Sequence, residues 1–207
     1  REHEFFYTPT NVSIGIVKTD VDILGYPLGF NTNWQTNAAT TTNTATGYPS
    51  PFTNYYGGTK HQMLIRASEL TALGLTPNST INSISFDVAS VGTSFSGTLQ
   101  NFQVDMGSTT DDVLTSTTFL PTTTNVRAAG NLAVTIGLVN IPLNGSFTWD
   151  GTSNIVIQTS YSNNNSGTTN YSVQMRNSDP GFVSTNWYRV DSASSDSVLT
   201  ATTPTSS

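Results

Sequence analysis

A chain of 207 residues with 7 Lys and Arg against 13 Asp and Glu carries a formal charge of -6, with 35% hydrophobic residues, 10% charged residues and no cysteine. Without clustered basic residues it is poorly suited to nucleic acid or to anionic membranes, and it contains no run of about 18 apolar residues that would span a bilayer. The lack of cysteine removes disulfide staples, thiolate catalysis and Cys-ligated zinc together, so stability must come from burial and strand pairing.

In chain order, Val12, Ile14 and Ile16 alternate with Ser13 and Gly15, and Val17, Val21 and Ile23 continue the pattern with its phase switched, as a bulge or tight bend requires. Two readings of this apolar stretch stand. It is a strand of its own sandwich, or it pairs with a neighbouring subunit as a donor strand, with Val12, Ile14, Ile16, Val21 and Ile23 at the subunit contact. Asp20 and Asp22 share one face of an extended strand and can present two oxygens to a hard cation such as calcium; the competing reading is solvated edge charge. From Thr32 to Thr46 the chain is a polar Thr/Asn/Ala tract with few large apolar residues after Trp34, which reads as a surface connection. Pro49 and Pro51 then guide the chain to a sheet edge, where Phe52, Tyr55 and Tyr56 can cover an open core.

Next, His61 beside Lys60 marks a strand entry, and no acid is placed to make a triad with it, so it reads as structural. Ser68 to Gly74 predicts one or two helical turns, with Ser68 as N-cap and Gly74 as the left-handed stop, plugging one end of a sandwich. Period-two patterning then recurs at Ile84, Phe86 and Val88, at Phe102, Val104 and Met106, at Ile155 and Ile157, at Tyr171, Val173 and Met175, and at Trp187 to Val190. Asn144-Gly145 and Asp150-Gly151 predict hairpin turns, and a ladder of antiparallel hairpins is expected. The Asn163 to Gly167 cluster reads as a loop tip, and Thr200 to Ser207 has no apolar face.

These elements predict an all-β, antiparallel, jelly-roll-like β-sandwich with one short helix, divided into an N-terminal strand extension (1–30) and a sandwich domain (31–207). With Arg1 leading and no hydrophobic leader, the chain reads as exported, its targeting segment removed.

Two ordered blocks then carry a family resemblance. Gly47-Tyr48-Pro49-Ser50-Pro51-Phe52, Asn54 to Gln62 and Leu64 to Leu70 form the first, and Phe147 to Ile157 the second, with Tyr188 to Asp191 as a closing strand. Together they resemble a β-sandwich module of secreted surface proteins of Bacteroidota. The resemblance implies export, often by the type IX system, and a cell-surface or adhesin-like role, with no catalytic residues to carry over. The N-terminal addition departs from that pattern.

No Gly-x-Ser-x-Gly elbow is present, and Asp105, Asp111 and Asp150 lack the context of a glycosidase pair, so no catalytic signature is read. A Lys–Asn isopeptide through Lys18 or Lys60 has no supporting motif. The expectation is a non-catalytic, secreted, self-assembling surface protein that forms a filament by strand exchange, without a cofactor unless calcium sits at Asp20 and Asp22. The alternative is a glycan-binding surface module that stacks sugar rings on Trp34, Tyr55 and Tyr56.

Overall fold

The computed structural model describes residues 2–7, 14–19, 30–31, 41–42, 50–52, 56–72, 74–92, 97–163, 173–177 and 180–206. Among them run β1 (Glu2–Tyr7), β2 (Ile14–Thr19), β3 (Phe30–Asn31), β4 (Thr41–Thr42), β5 (Gly58–Ile65), α1 (Ala67–Ala72), β6 (Thr80–Val91), β7 (Thr98–Thr109), β8 (Thr124–Ala133), β9 (Gly137–Thr148), β10 (Asn154–Ser162), β11 (Val173–Asn177), β12 (Thr185–Val190) and a 3-10 helix, Ser192–Leu199. One sheet has five strands in the order β12-β5-β10-β7-β8. The other has seven, running β3-β1-β2-β6-β11-β4 with β9 also paired to β6. Apart from the parallel β1–β3 pair, every ladder is antiparallel.

The all-β sandwich is therefore present, but the ladder of hairpins is not. Among the described strands only β1–β2 and β7–β8 pair with their sequence neighbours inside one sheet; from β8 onward each connection crosses to the opposite sheet. Asp150-Gly151 illustrates this. Gly151 adopts φ 91°, and the Asp150 carboxylate accepts from the Thr152 and Ser153 amides at 2.8 and 2.7 Å, closing a turn that carries the chain from β9 across to β10. Asn144-Gly145 makes no turn. It lies inside β9, where the pairing with β6 jumps from Ile81↔Phe147 to Ser83↔Pro142, an irregularity that also lets Ile81 and Ile84 both reach the core despite their odd spacing.

Between the sheets, Ile84, Phe86 and Val88 of β6, Phe102, Val104 and Met106 of β7, Ile155 and Ile157 of β10 and Trp149 are at most 1% exposed. Phe52 meets Phe86 and Phe102 edge-on, with ring centroids 5.3 and 6.0 Å away. Helix α1 closes this core with buried Leu70. Its N-cap is Arg66 rather than the expected Ser68: the Leu70 amide donates to the Arg66 carbonyl, and Glu69 reaches back to the Arg66 amide at 2.7 Å. Arg66 has no oxygen with which to cap, and Asn154 of β10 supplies one, accepting from the Ala67 amide at 2.8 Å. Gly74, at φ 86°, is the stop: its amide and that of Leu75 donate to the Thr71 and Leu70 carbonyls in the paired bonds of a Schellman motif.

The outer face of the five-stranded sheet is covered as well, so that every residue of β5 and β10 is buried. Leu64 and Val156, which point away from the main core, pack with Leu114, Leu120 and Phe182. Beside them, one row of cross-strand partners runs over all five strands: Asn186, Gln62, Gln158, Asp105 and Asn125. The Gln62 amide pairs with the Leu120 backbone in both directions (2.7 and 2.9 Å) and donates to Gln158, which donates to Asp105, which also accepts from Asn125. Residues 192–206 form a strap over the next row, where the Lys60 ammonium donates to the Leu199 and Ala201 carbonyls at 3.2 and 2.8 Å.

The loop 110–123 crosses so closely that a Cβ on Gly107 would lie 2.6 Å from the Pro121 carbonyl oxygen. Because that obstacle is backbone, Gly107→Ala is expected to destabilise the fold by about 1–3 kcal/mol, the usual range for overpacking. Urea unfolding measures it. Gly130→Ala, where a Cβ meets nothing within 4 Å, serves as the unstrained comparison.

Candidate functional site

The strongest candidate is the edge of β6 that receives β2. Ile14, Gly15, Ile16 and Val17 lie opposite Phe86, Ser85, Ile84 and Ser83; the register then slips and Lys18 faces Ile81. Since β9 pairs with the same β6 residues, β2 and β9 hold opposite edges. Val88 pairs with both β9 and β11, so β11 sits on the same edge as β2 and continues its line from Val88 to Val91. Residues 81–86 of β6 thus form a six-residue slot beside β11, on the strand that carries the core side chains Ile81, Ile84 and Phe86. Here that strand comes from the same chain. Of the expected contact residues, Ile14 and Ile16 lie in this ladder, while Val12, Val21 and Ile23 lie outside the described residues.

The strand in the slot belongs to a larger unit. β1 covers the far edge of β2 over Glu2–Tyr7, and β3 pairs with the outer edge of β1. The hairpin therefore brings its own edge partners with it.

For stacking, Tyr56 is half-buried with the Arg189 guanidinium 4.3 Å over its ring, so one ring face is occupied. Trp34 and Tyr55 lie outside the described residues, as do the carboxylates Asp20 and Asp22. Trp149 is fully buried, its indole N–H donating to the Ser153 carbonyl at 2.7 Å. Among the described residues no three His, Asp or Glu side chains are grouped to hold a metal ion.

His61 and Lys60 are neighbours in sequence but point to opposite faces of β5. His61 faces inward in line with Met63 and Ile65, its ring stacked on Trp187 at 6.3 Å and 12°. It is fully buried, both ring nitrogens lack a hydrogen-bond partner, and the hydroxyl of its cross-strand neighbour Thr159 lacks one too. Burial holds the imidazole at a pKa of about 3, well below its ordinary 6.5, so it stays neutral. Among the described residues no carboxylate bonds to either ring nitrogen. On the other face, burial lowers the Lys60 pKa, partly opposed by Asp105, and its ammonium is committed to the strap carbonyls. The period-two alternation of Thr59, His61, Met63 and Ile65 was the one available signal that His61 faces the core.

The unfolded chain takes a proton on this histidine near pH 6.5 and the folded chain only near pH 3, so its contribution to stability is complete above about 6.5 and is lost as pH falls toward 3. Thermal melts from pH 7 to pH 4 are expected to show a falling midpoint, with a slope of up to about 1.4 kcal/mol per pH unit from this group. His61→Phe, which keeps a ring against Trp187, should flatten that dependence; an unchanged pH profile in the variant would assign the acid sensitivity elsewhere. Comparisons with family models, with curated proteins and with solved structures find no match to this chain.

Proposed function

We propose that the chain is a non-catalytic structural or adhesive protein of a cell surface, assembling into a filament when the β3-β1-β2 unit of one copy fills the β6 slot of the next. The observation that carries this reading is the slot itself. The ladder Ile14–Lys18 on Ile81–Phe86 is made by a unit joined to the rest of the sandwich through the polar tract that begins at residue 32. A strand docked in this way makes the same backbone hydrogen bonds whether it comes from its own chain or from another, so exchange costs little beyond association.

The other described sheet edges support the reading by contrast. β8, at one end of the five-stranded sheet, is broken by three register shifts against β7, and bulged edges resist strand addition. At the other end, Trp187 of β12 exchanges backbone bonds with Thr205 and Ser206 of the strap, at 2.6 and 3.0 Å. β9 places Pro142, which has no amide donor, in its ladder. Unspecific edge pairing is discouraged on these strands, while the β6 edge is served by the β3-β1-β2 unit. The resemblance of 47–70 and 147–157 to secreted surface modules adds the expectation of an exported, adhesin-like setting.

The absence of cysteine makes a direct test simple. Val17 and Ser83 are register partners, so Val17→Cys and Ser83→Cys placed together in one chain should form a disulfide whether the pairing is within or between chains. In an equimolar mixture of the two single variants, exchange predicts a covalent heterodimer on a non-reducing gel, with polymers visible by electron microscopy. If the double variant crosslinks only as a monomer and the mixture yields no heterodimer, the slot is filled permanently in cis and the filament reading fails.

A further inference from the structure

The inward face of the five-stranded sheet changes character along its length. Where β5 and β10 pair Ile65 with Ile155 and Met63 with Ile157 it is apolar; beyond them come His61 with Thr159 and Thr59 with Tyr161. These last four residues are at most 1% exposed. The pair Thr59 and Tyr161 is satisfied: Tyr161 donates to the Tyr56 carbonyl at 3.0 Å, so Thr59 supplies the proton in the 3.2 Å bond between the two hydroxyls. The pair His61 and Thr159 is not. Both His61 ring nitrogens and the Thr159 hydroxyl have no partner, although the two residues stand opposite each other in register. Ser160 and Asn186 also carry one orphaned oxygen each, but in separate rows on the opposite face of the sheet.

A polar group orphaned at full burial gives up its bonds to water and gains none in return, and native proteins tolerate few of them. Two that face each other across one ladder share one explanation. Directly opposed side chains have Cβ atoms about 4.5–5.5 Å apart, a span in which groups that do not bond directly can each lie about 2.7–3.0 Å from one small ligand between them. The chemistry of that ligand follows from its hosts. A neutral imidazole presents one donor and one acceptor, and threonine presents one donor and two lone pairs. Burial keeps this imidazole neutral. The row to which both belong, Trp187–His61–Thr159–Val104, holds no charged side chain to balance an ion. A small neutral molecule that both donates and accepts is required, and water does each twice.

We infer that His61 and Thr159 form a binding site for an internal water molecule, which bridges one ring nitrogen to the Thr159 hydroxyl and ties β5 to β10 through the core. Waters held in this way are part of a fold, and their bonds are nearly as good as direct ones. Trp187, half-buried on the edge strand β12 and stacked on His61, stands between the site and the sheet edge.

A crystal structure of the full chain at a resolution that shows ordered water is expected to place one about 2.7–3.2 Å from both the Thr159 hydroxyl and a His61 ring nitrogen. Thermal melts at pH 7 give an independent reading. With water bound, Thr159→Val removes one of its partners and should lower the midpoint by about 2–4 °C, the shift of one lost hydrogen bond in a chain of this length. Adding His61→Phe to that variant should recover most of the loss, because a wall without polar atoms needs no water. In a dry site the sign reverses: Thr159→Val then relieves a buried orphan and raises the midpoint. That rise overturns the inference, as does electron density in which His61 and Thr159 are bonded to protein groups or to nothing.

Discussion

The arrangement on which the rest of this structure depends is the polar row Asn186–Gln62–Gln158–Asp105–Asn125 across the five-stranded sheet. Each member sits opposite the next in register, and the Gln62 amide locks onto the Leu120 backbone at 2.7 and 2.9 Å. Apolar contacts alone tolerate sliding, since one β-branched or aliphatic residue replaces another at modest cost. A buried amide does not: moved by one residue it loses its partners and incurs the desolvation cost of about 1–3 kcal/mol for each stranded group. Sliding would also carry Gln62 and Gln158 into the main core and expel Met63 and Ile157 from it. The row therefore fixes register for the sheet as a whole, and with it the placement of the loop 110–123, the contact at Gly107 and the face on which the strap lies.

The two sheets consequently play different parts. The five-stranded sheet is finished on both faces and both edges: loop and strap cover it, bulges roughen β8, and Thr205 and Ser206 occupy β12. The seven-stranded sheet is organised around β6, whose inner residues Ile81, Ile84 and Phe86 cement the core while its edge accepts β2. A five-stranded sheet with its edges covered or bulged, beside a sheet whose β6 edge takes a strand that carries its own edge partners, is what the proposed exchange calls for. Were both sheets open, strand addition would have no preferred direction; were both closed, none would occur.

How much of this was legible in the sequence varies with the kind of force involved. Alternation found the inward faces of β6, β7 and β10, because burial on one face writes a period of two directly into the chain. Gly74 and Asp150-Gly151 were readable because a positive φ restricts residue choice locally. Ser68 as N-cap failed for a non-local reason: the capping oxygen comes from Asn154, far along the chain, so the helix begins where local capping rules give no sign. Asn144-Gly145 failed because the chain continues as strand through it, paired with β6 across an irregular register that the local turn signal does not reveal. Least legible of all was the polar row. Gln62 and Gln158 occupy outward positions of good strands, and only the fold shows that a loop buries them.

That burial gives the chain's composition a second meaning. Only 10% of the residues are charged and the chain is rich in hydroxyl and amide groups, many of which are used inside, as the bonded layer between sheet, loop and strap. Amides and hydroxyls do not titrate between pH 2 and pH 10, and bonds between neutral groups are little affected by salt. Apart from its one carboxylate, Asp105, a row pinned in this way should keep its register through large changes of acidity and ionic strength, and His61 is a fully buried group that responds to acid. For a protein proposed to hold neighbouring copies together outside the cell, where neither pH nor salt is regulated, the two properties belong together. The amide and hydroxyl bonds keep the five-stranded sheet in register, while the strand proposed to exchange is held to β6 by backbone bonds that acidity and salt leave in place.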